Sequence, residues 1–279
     1  MEPGIYENLP AAEYHAAPGA SHSRLEILKD HSPAELKFQM DNPEPEGAII
    51  GCGDAMEFGS AFHDAVLLPE KYGLEYRTLP FRDMRAKGAE DWCKENAGKK
   101  ILRPDAAERI TAMRGAILDH KAAANLISAA THKELSLFWI DSPTGVLCKM
   151  RADIVIVEKT NAVVMDLKTT TNPGPEAFAG AIEAFGYFRQ AAMYLDGLNY
   201  HGIPADSFGF IPISKEPPHT VAVYALDSEA IEIGMRENRK LLNLYAICGK
   251  SGFWPAYPKI EKISLPEWKL RKARMEMFI

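Results

Sequence analysis

The sequence is short of cysteine, of long apolar runs and of positive charge. Four cysteines, Cys52, Cys93, Cys148 and Cys248, occur in 279 residues. No two form a CxxC pair, so the spacing predicts neither structural zinc nor a disulfide framework, and reduced, mostly buried thiols are expected. No stretch of about 18 apolar residues is present, which argues against a membrane span. The opening MEPGIYENLP has no basic region followed by an apolar core, so a secretory leader is not expected and a cytoplasmic protein is the default. No GxxxxGK(S/T) occurs, and the length leaves no room for a helicase motor. The net charge of −6 argues against a protein that coats nucleic acid nonspecifically, a task that goes with a basic surface. It still allows a basic channel within an acidic exterior.

The chain does have apolar material, 47% of its residues, enough for one large domain or two small ones. Residues 1–20, rich in Pro, Gly and Ala, are expected to be extended. Ser21 or Ser23 can cap a short helix running through Leu25, Ile27 and Leu28. Residues 42–53 read as a loop. Met56, Phe58, Phe62, Val66 and Leu67 have helical spacing, ended by Pro69. Residues 75–104 are mixed and polar, and a long helix is predicted from Pro104 to about Ala130. The period then changes. Residues 134–140, 146–157 and 161–168 look like strands, the last two joined by a turn at 158–160. One helix is predicted over 175–198, strands over 208–214 and 219–225, and a final helix over 228–248. The order implies an α/β chain: a single domain over 1–279, with an N-terminal helical part at about 1–130 and a catalytic core at about 131–250.

The chemistry concentrates in VVMDLK. Side chains two apart in a strand share a face, so Asp166 and Lys168 project together while Met165 and Leu167 face the core. The hairpin can bring Asp153 beside Asp166. Two adjacent carboxylates repel unless a cation lies between them, and hard oxygen donors select Mg²⁺ or Mn²⁺. Lys168 would then stand next to a metal-bound water. In GSAFH, Gly59 and His63 lie one helical turn apart, and His63 can reach a metal or a phosphate while the glycine allows close backbone approach. In QAAMY, Gln190 and Tyr194 share a helix face. Taken singly, each feature has a plainer explanation as a strand-end ion pair, a structural histidine or an ordinary amphipathic helix.

The ordered set GSAFH, RAD, DLK and QAAMY resembles the GxxxH, D, (D/E)xK and QxxxY motifs of RecB-type and RecE-type nucleases. The likeness implies a PD-(D/E)XK restriction-endonuclease-like core, a mixed central sheet flanked by helices. PGASHSRLEIL and ELSLFW–DSPTGVLCKMRAD further resemble the RecE-like (exonuclease VIII type) exonucleases of phages and prophages. By that resemblance His63, Asp153, Asp166 and the Leu167 carbonyl would bind Mg²⁺, with Mn²⁺ able to substitute. Lys168 would be the catalytic lysine, and Gln190 and Tyr194 would contact DNA or brace the site. It also implies hydrolysis of linear double-stranded DNA from its ends, usually 5′ to 3′. A RecT-like single-strand annealing partner and a homo-oligomeric ring, a trimer or tetramer, follow from the same likeness. Ser23 and Arg24 are expected to help hold a DNA end, a helix N-terminus being suited to phosphate. The acidic residue of DLK is Asp where Glu is commoner. Only Cys248 lies near the C-terminus, which excludes the iron–sulfur subgroup. The alternatives are a repair or restriction nuclease of the same core, or a catalytically silent DNA-binding protein.

Overall fold

The computed structural model describes residues 1–42, 49–51, 53–82, 84–257, 260 and 262–276. Its first half contains β1 (Gly4–Tyr6), α1 (Ala11–Ala16), α2 (His22–Asp30), α3 (Pro33–Asp41), β2 (Ile49–Ile50), α4 (Ala55–Leu67), α5 (Pro69–Glu75), β3 (Tyr76–Thr78), α6 (Ala89–Glu95), β4 (Lys100–Leu102), α7 (Pro104–Asp119) and α8 (Lys121–Ser128). The second half contains β5 (His132–Asp141), β6 (Val146–Val157), β7 (Ala162–Thr170), α9 (Pro175–Ala184), α10 (Tyr187–Tyr200), β8 (Ala205–Ser214), β9 (Tyr224–Ala225), α11 (Ser228–Ser251) and α12 (Glu267–Glu276).

The main sheet has the order β1-β5-β6-β7-β8-β9. It is mixed: β7 and β8 run parallel, and the other neighbours are antiparallel. A parallel pair needs a crossover, which α9 and α10 supply. Both sheet faces are covered, which is why β6 and β7 read as nearly continuous apolar runs. Leu137, Trp139, Met150, Ala152, Val164 and Phe210 pack under α9, α10 and α11. On the other face Ile154, Met165, Leu167, Ile211 and Ile213 pack against Phe58, Phe62, Ile110 and Met113 of α4 and α7. Met165 and Leu167 thus face a core as their parity predicts, but Asp166 between them also lies under helices.

Several expectations change. Residues 1–20 are not simply extended, since α1 forms there and β1 joins the main sheet beside β5. The N-terminal part is not purely helical, because β2, β4 and β3 make a second, parallel sheet. Residues 43–48 and 52, and with them Cys52, lie outside the described residues; within the expected loop, Ile49–Ile50 is a strand. The helix through Met56 and Leu67 ends before Pro69 as expected, and Pro69 also opens α5, at the first helical position where its missing N–H costs nothing. The helix expected over 104–130 breaks at His120, whose side chain caps α8 by accepting from the Ala123 N–H. Of 219–225, only Tyr224–Ala225 is a strand, with an isolated bridge at Val221. Ser21 rather than Ser23 caps α2, accepting from the Arg24 N–H. Among the described residues no helix is long and apolar enough to cross a membrane.

The helix expected over 175–198 also breaks, at Gly186, which has φ +64. A Cβ there would collide with Arg189 and Glu26, a buried ion pair that ties α10 to α2. The break re-aims α10 so that Tyr187, Gln190 and Tyr194 enter the cleft described below. Gly186→Ala should therefore destabilise the fold by about 2 kcal/mol, combining left-handed strain with the collision. A thermal melt unchanged from the parent would contradict this account of the break.

Candidate active site

The site exists because two strands part. β6 and β7 pair from Val157↔Ala162 up to Ile154↔Met165 and no further. Beyond that point β6 stays with β5, and β7 stays with β8. Asp153 and Asp166 are the first residues past the end of the ladder. Asp153 Oδ2 accepts from the Leu167 N–H at 2.9 Å, replacing a ladder bond with a side chain. The gap admits residues from both faces of the sheet. His63 enters from α4, with Nδ1 3.3 Å from Asp153 Oδ2. Gln190 enters from α10 on the opposite face.

Gln190 links the pair read from the sequence. Its Nε2 donates to Asp166 Oδ1 at 2.7 Å, and its Oε1 accepts from Lys168 Nζ at 3.0 Å. Lys168 Nζ also lies 2.6 Å from Asp166 Oδ2 and 4.4 Å from the centre of the Tyr187 ring. Asp166, only 1% exposed, thus has Oδ1 hydrogen-bonded to Gln190 and Oδ2 held by the Lys168 ammonium alone. Two buried carboxylates side by side, Asp153 and Asp166, favour added positive charge between them. Oxygen and imidazole donors at this point fit a divalent metal.

The charges are tightly coupled. Burial alone would raise Asp153, but the charge and hydrogen bond of His63, with Lys168 and the Leu167 N–H, hold it below the ordinary carboxylate value. Asp166 is pushed up, by burial first and by the charge of Asp153, against the pull of Lys168. Burial depresses His63, yet Asp153 beside it wins and raises it to about 9. Lys168 is likewise held above its usual value by Asp166 and other neighbours despite burial. One carboxyl down and its neighbour up is the signature of two groups that cannot both ionise without added positive charge.

These groups line a cleft of about 610 Å³ that also takes in Arg24, Lys71, Lys100, Lys149 and Arg151. Tyr194 and Ser23 line it too, so all the side chains singled out in the sequence converge here except that of Asp166, which sits just beneath its lining. Lys149 Nζ donates to the carbonyls of Tyr14, His15 and Ala17, fastening the N-terminal segment to the wall. Arg24 donates to the Gly19 carbonyl. Gly59 does not have the role expected of it, since a Cβ there would meet nothing within 4 Å and no backbone approaches.

Sequence reasoning missed Glu134. The pairs Lys133↔Ile154 and Leu135↔Ala152 place it opposite Asp153. One donor atom each from His63, Glu134 and Asp153 lies within 4.8 Å of the others, a group able to hold a metal ion. The signal was available: the turn after Asp141 fixes the β5–β6 register at Asp141↔Val146, and counting back pairs Glu134 with Asp153. Tyr187, stacked over Lys168, was missed because the break at Gly186 was not foreseen.

The sequence profile of a family described as a PDDEXK-like domain of unknown function, DUF3799, matches residues 28–265. No curated protein matches the chain in sequence. Among solved structures, a candidate exonuclease from Eubacterium rectale superposes with a TM-score of 0.58 at 11% identity, over 95% of this chain and 98% of that one. At that identity the likeness concerns the fold. A second structure, SSO0001, covers 84% of this chain and 96% of its own at 17% identity, but its TM-score of 0.30 carries no argument.

The raised pKa of His63 has a consequence for metal-free protein. Its ion pair with Asp153 is fully present below the usual pKa of 6.5 and is lost as pH rises through about 9. Stability should fall across that window by on the order of 2–3 kcal/mol in the parent, and by clearly less in His63→Asn. Urea unfolding in chelator at several pH values measures the difference, and parallel profiles would refute the pairing.

Proposed function

The chain belongs to this PDDEXK-like family, and within it we propose a nuclease: a metal-dependent DNA exonuclease that hydrolyses linear duplex from its ends, 5′ to 3′. The observation that carries the reading is the pair of buried carboxylates, Asp153 and Asp166, brought together at the end of the β6–β7 ladder with His63 and Lys168 against them on a cation-lined cleft. The donor set suits Mg²⁺, with Mn²⁺ as a substitute. When bound, such an ion supplies Lewis acidity toward a phosphate oxygen and acidifies a water molecule. His63, Asp153 and Asp166 would hold it, with the Leu167 carbonyl as a further ligand.

The chain's own groups do the rest. Lys168, held between Asp166 and Gln190, keeps an ammonium where it can orient the attacking water and offset charge on the phosphate. Gln190 fixes both partners at once, holding the lysine beside Asp166 Oδ2. Tyr194, buried behind Gln190, braces it. Ser23 and Arg24 lie in the first turn of α2 on the cleft wall, and on this reading they would receive the phosphate of a DNA end. The RecE-like resemblance of the motifs extends the proposal to a trimeric or tetrameric ring and a RecT-like annealing partner that takes up the exposed strand.

Linear and circular duplexes labelled at either end should be distinguished by the protein in Mg²⁺. Linear DNA should lose its 5′ label first, closed circles should survive, and Ca²⁺ should not support cutting. Asp166→Ala and Lys168→Ala should each abolish cleavage with the fold kept. Asp166→Ala, relieved of carboxylate repulsion, should melt no lower than the parent without metal. Full digestion in excess chelator, or parental rates in either variant, sinks the reading.

The end-binding role separates from simple helix capping. The double variant Ser23→Ala, Arg24→Ala should bind linear duplex more weakly, with a salt dependence shallower by about one phosphate contact. An unchanged affinity and salt slope would reject it.

A further inference from the structure

A single exposed aromatic ring is ordinary on a protein surface, but the setting of Phe185 sets it apart. The ring is 60% exposed at the C-terminal cap of α9, one residue before the break at Gly186. That break forms part of the cleft rim. The Gly186 carbonyl is the hydrogen-bond partner of His22 Nε2 at 3.0 Å, and His22 and Tyr187 both line the cleft. Phe185 is therefore exposed at the rim and not on a remote face.

Its ring stacks on that of Tyr187, with centroids 5.6 Å apart and planes 28° from parallel. The Tyr187 ring in turn lies 4.4 Å from Lys168 Nζ. Two ring contacts thus separate a solvent-facing aromatic surface from the ammonium beside Asp166, about the reach of one nucleotide. Among the described residues no other exposed aromatic side chain pairs with a ring that lines the cleft. A cation and a free aromatic face at this separation match the two ends of a nucleotide, its phosphate and its base.

We propose that Phe185 is a base-stacking platform: a nucleobase of the strand being cut lies on its free face while the phosphate of that nucleotide reaches Lys168. The inference rests on the proposed nuclease reading and adds to it a contact with the base. Every base has a π-face, so the platform accepts any sequence. Inside an intact duplex both faces of a base are covered by its neighbours. Phe185 gains a stack only where the duplex ends or a base has left it, so the platform favours termini over interior sites.

The test removes each partner in turn. Fluorescence anisotropy in Ca²⁺, where cutting is not expected, compares intact linear duplexes with duplexes in which one of the last three nucleotides at an end, in either strand, lacks its base. The parent should bind at least one of these abasic duplexes roughly tenfold more weakly than the intact one. Phe185→Ala should bind the intact duplex that weakly and be indifferent to the missing base. Phe185→Trp should restore the dependence. Phe185→Leu keeps apolar bulk against Tyr187 without an aromatic face, and should behave as the alanine variant does. Parental base dependence in the alanine or leucine variant, or a parent indifferent to every missing base, overturns the platform and leaves the nuclease reading standing. A parent that neither binds nor cuts linear duplex overturns both.

Discussion

The arrangement depends on one electrostatic constraint: carboxylates confined side by side in a place too dry to ionise them all. Asp153, Asp166 and Glu134 are buried or nearly so, on adjacent strands. A neutral fold would put apolar residues here, as it does one position away at Ile154, Met165 and Leu167. Three cationic side chains offset the charge. His63 lies against Asp153, Lys168 against Asp166 and Arg151 against Glu134. Two of these cations are themselves held by a second element, Lys168 by Gln190 and the Tyr187 ring and Arg151 by the Leu9 carbonyl. A buried ion pair of this kind is weak support for stability, because desolvation takes back most of the Coulombic gain. It is better understood as a site kept ready for added positive charge.

The fold supplies the room. A sheet covered on both faces would normally exclude such groups, and across most of β6 and β7 it does. The ladder stops at Ile154↔Met165, and the strands leave for different neighbours. The opening receives α4 from one face and α10 from the other, so histidine and glutamine reach one point from opposite sides of the sheet. The angle of α10 depends on the break at Gly186, and its position is pinned by Arg189, which pairs with Glu26 of α2 and Glu237 of α11. Helices far from the chemistry thus set the distance between Gln190 and Lys168.

What was legible in the sequence follows from this geometry. Period-two parity in VVMDLK is local, so the shared face of Asp166 and Lys168 could be read directly, and the turn at 158–160 put Asp153 within reach. Spacings of four in GSAFH and QAAMY are also local. Breaks were not legible, because a helix through Gly186 or His120 satisfies the same apolar period as the pair of helices that forms. The small sheet of β2, β3 and β4 escaped because its strands are two or three residues long, too short to display alternation. Glu134 escaped because its importance lies in a register counted across a hairpin, not in its neighbours along the chain. Gly59 shows the opposite error: a motif residue was given a packing role that its open surroundings do not require.

The acidic net charge can be reconciled with a polyanion in the cleft by asking which cations are cancelled. Lys71, Arg151 and Lys168 each face a carboxylate, so they add little field outside their pairs. Arg24 donates to a neutral carbonyl, which orients it without removing its charge, and Lys100 lies over the Tyr76 ring, whereas burial pulls Lys149 down to about 7 and leaves it only partly charged near neutral pH. The attractive potential is therefore concentrated on the walls, away from the carboxylate floor. In metal-free protein the floor opposes a phosphate that the walls draw in. Divalent cations at the carboxylates reverse the sign of the floor, so on the reading proposed above metal and nucleic acid each strengthen the binding of the other, as reciprocal coupling requires. A chain of net charge −6 can then hold DNA through a small, oriented set of charges, where a coating protein needs a broad basic surface.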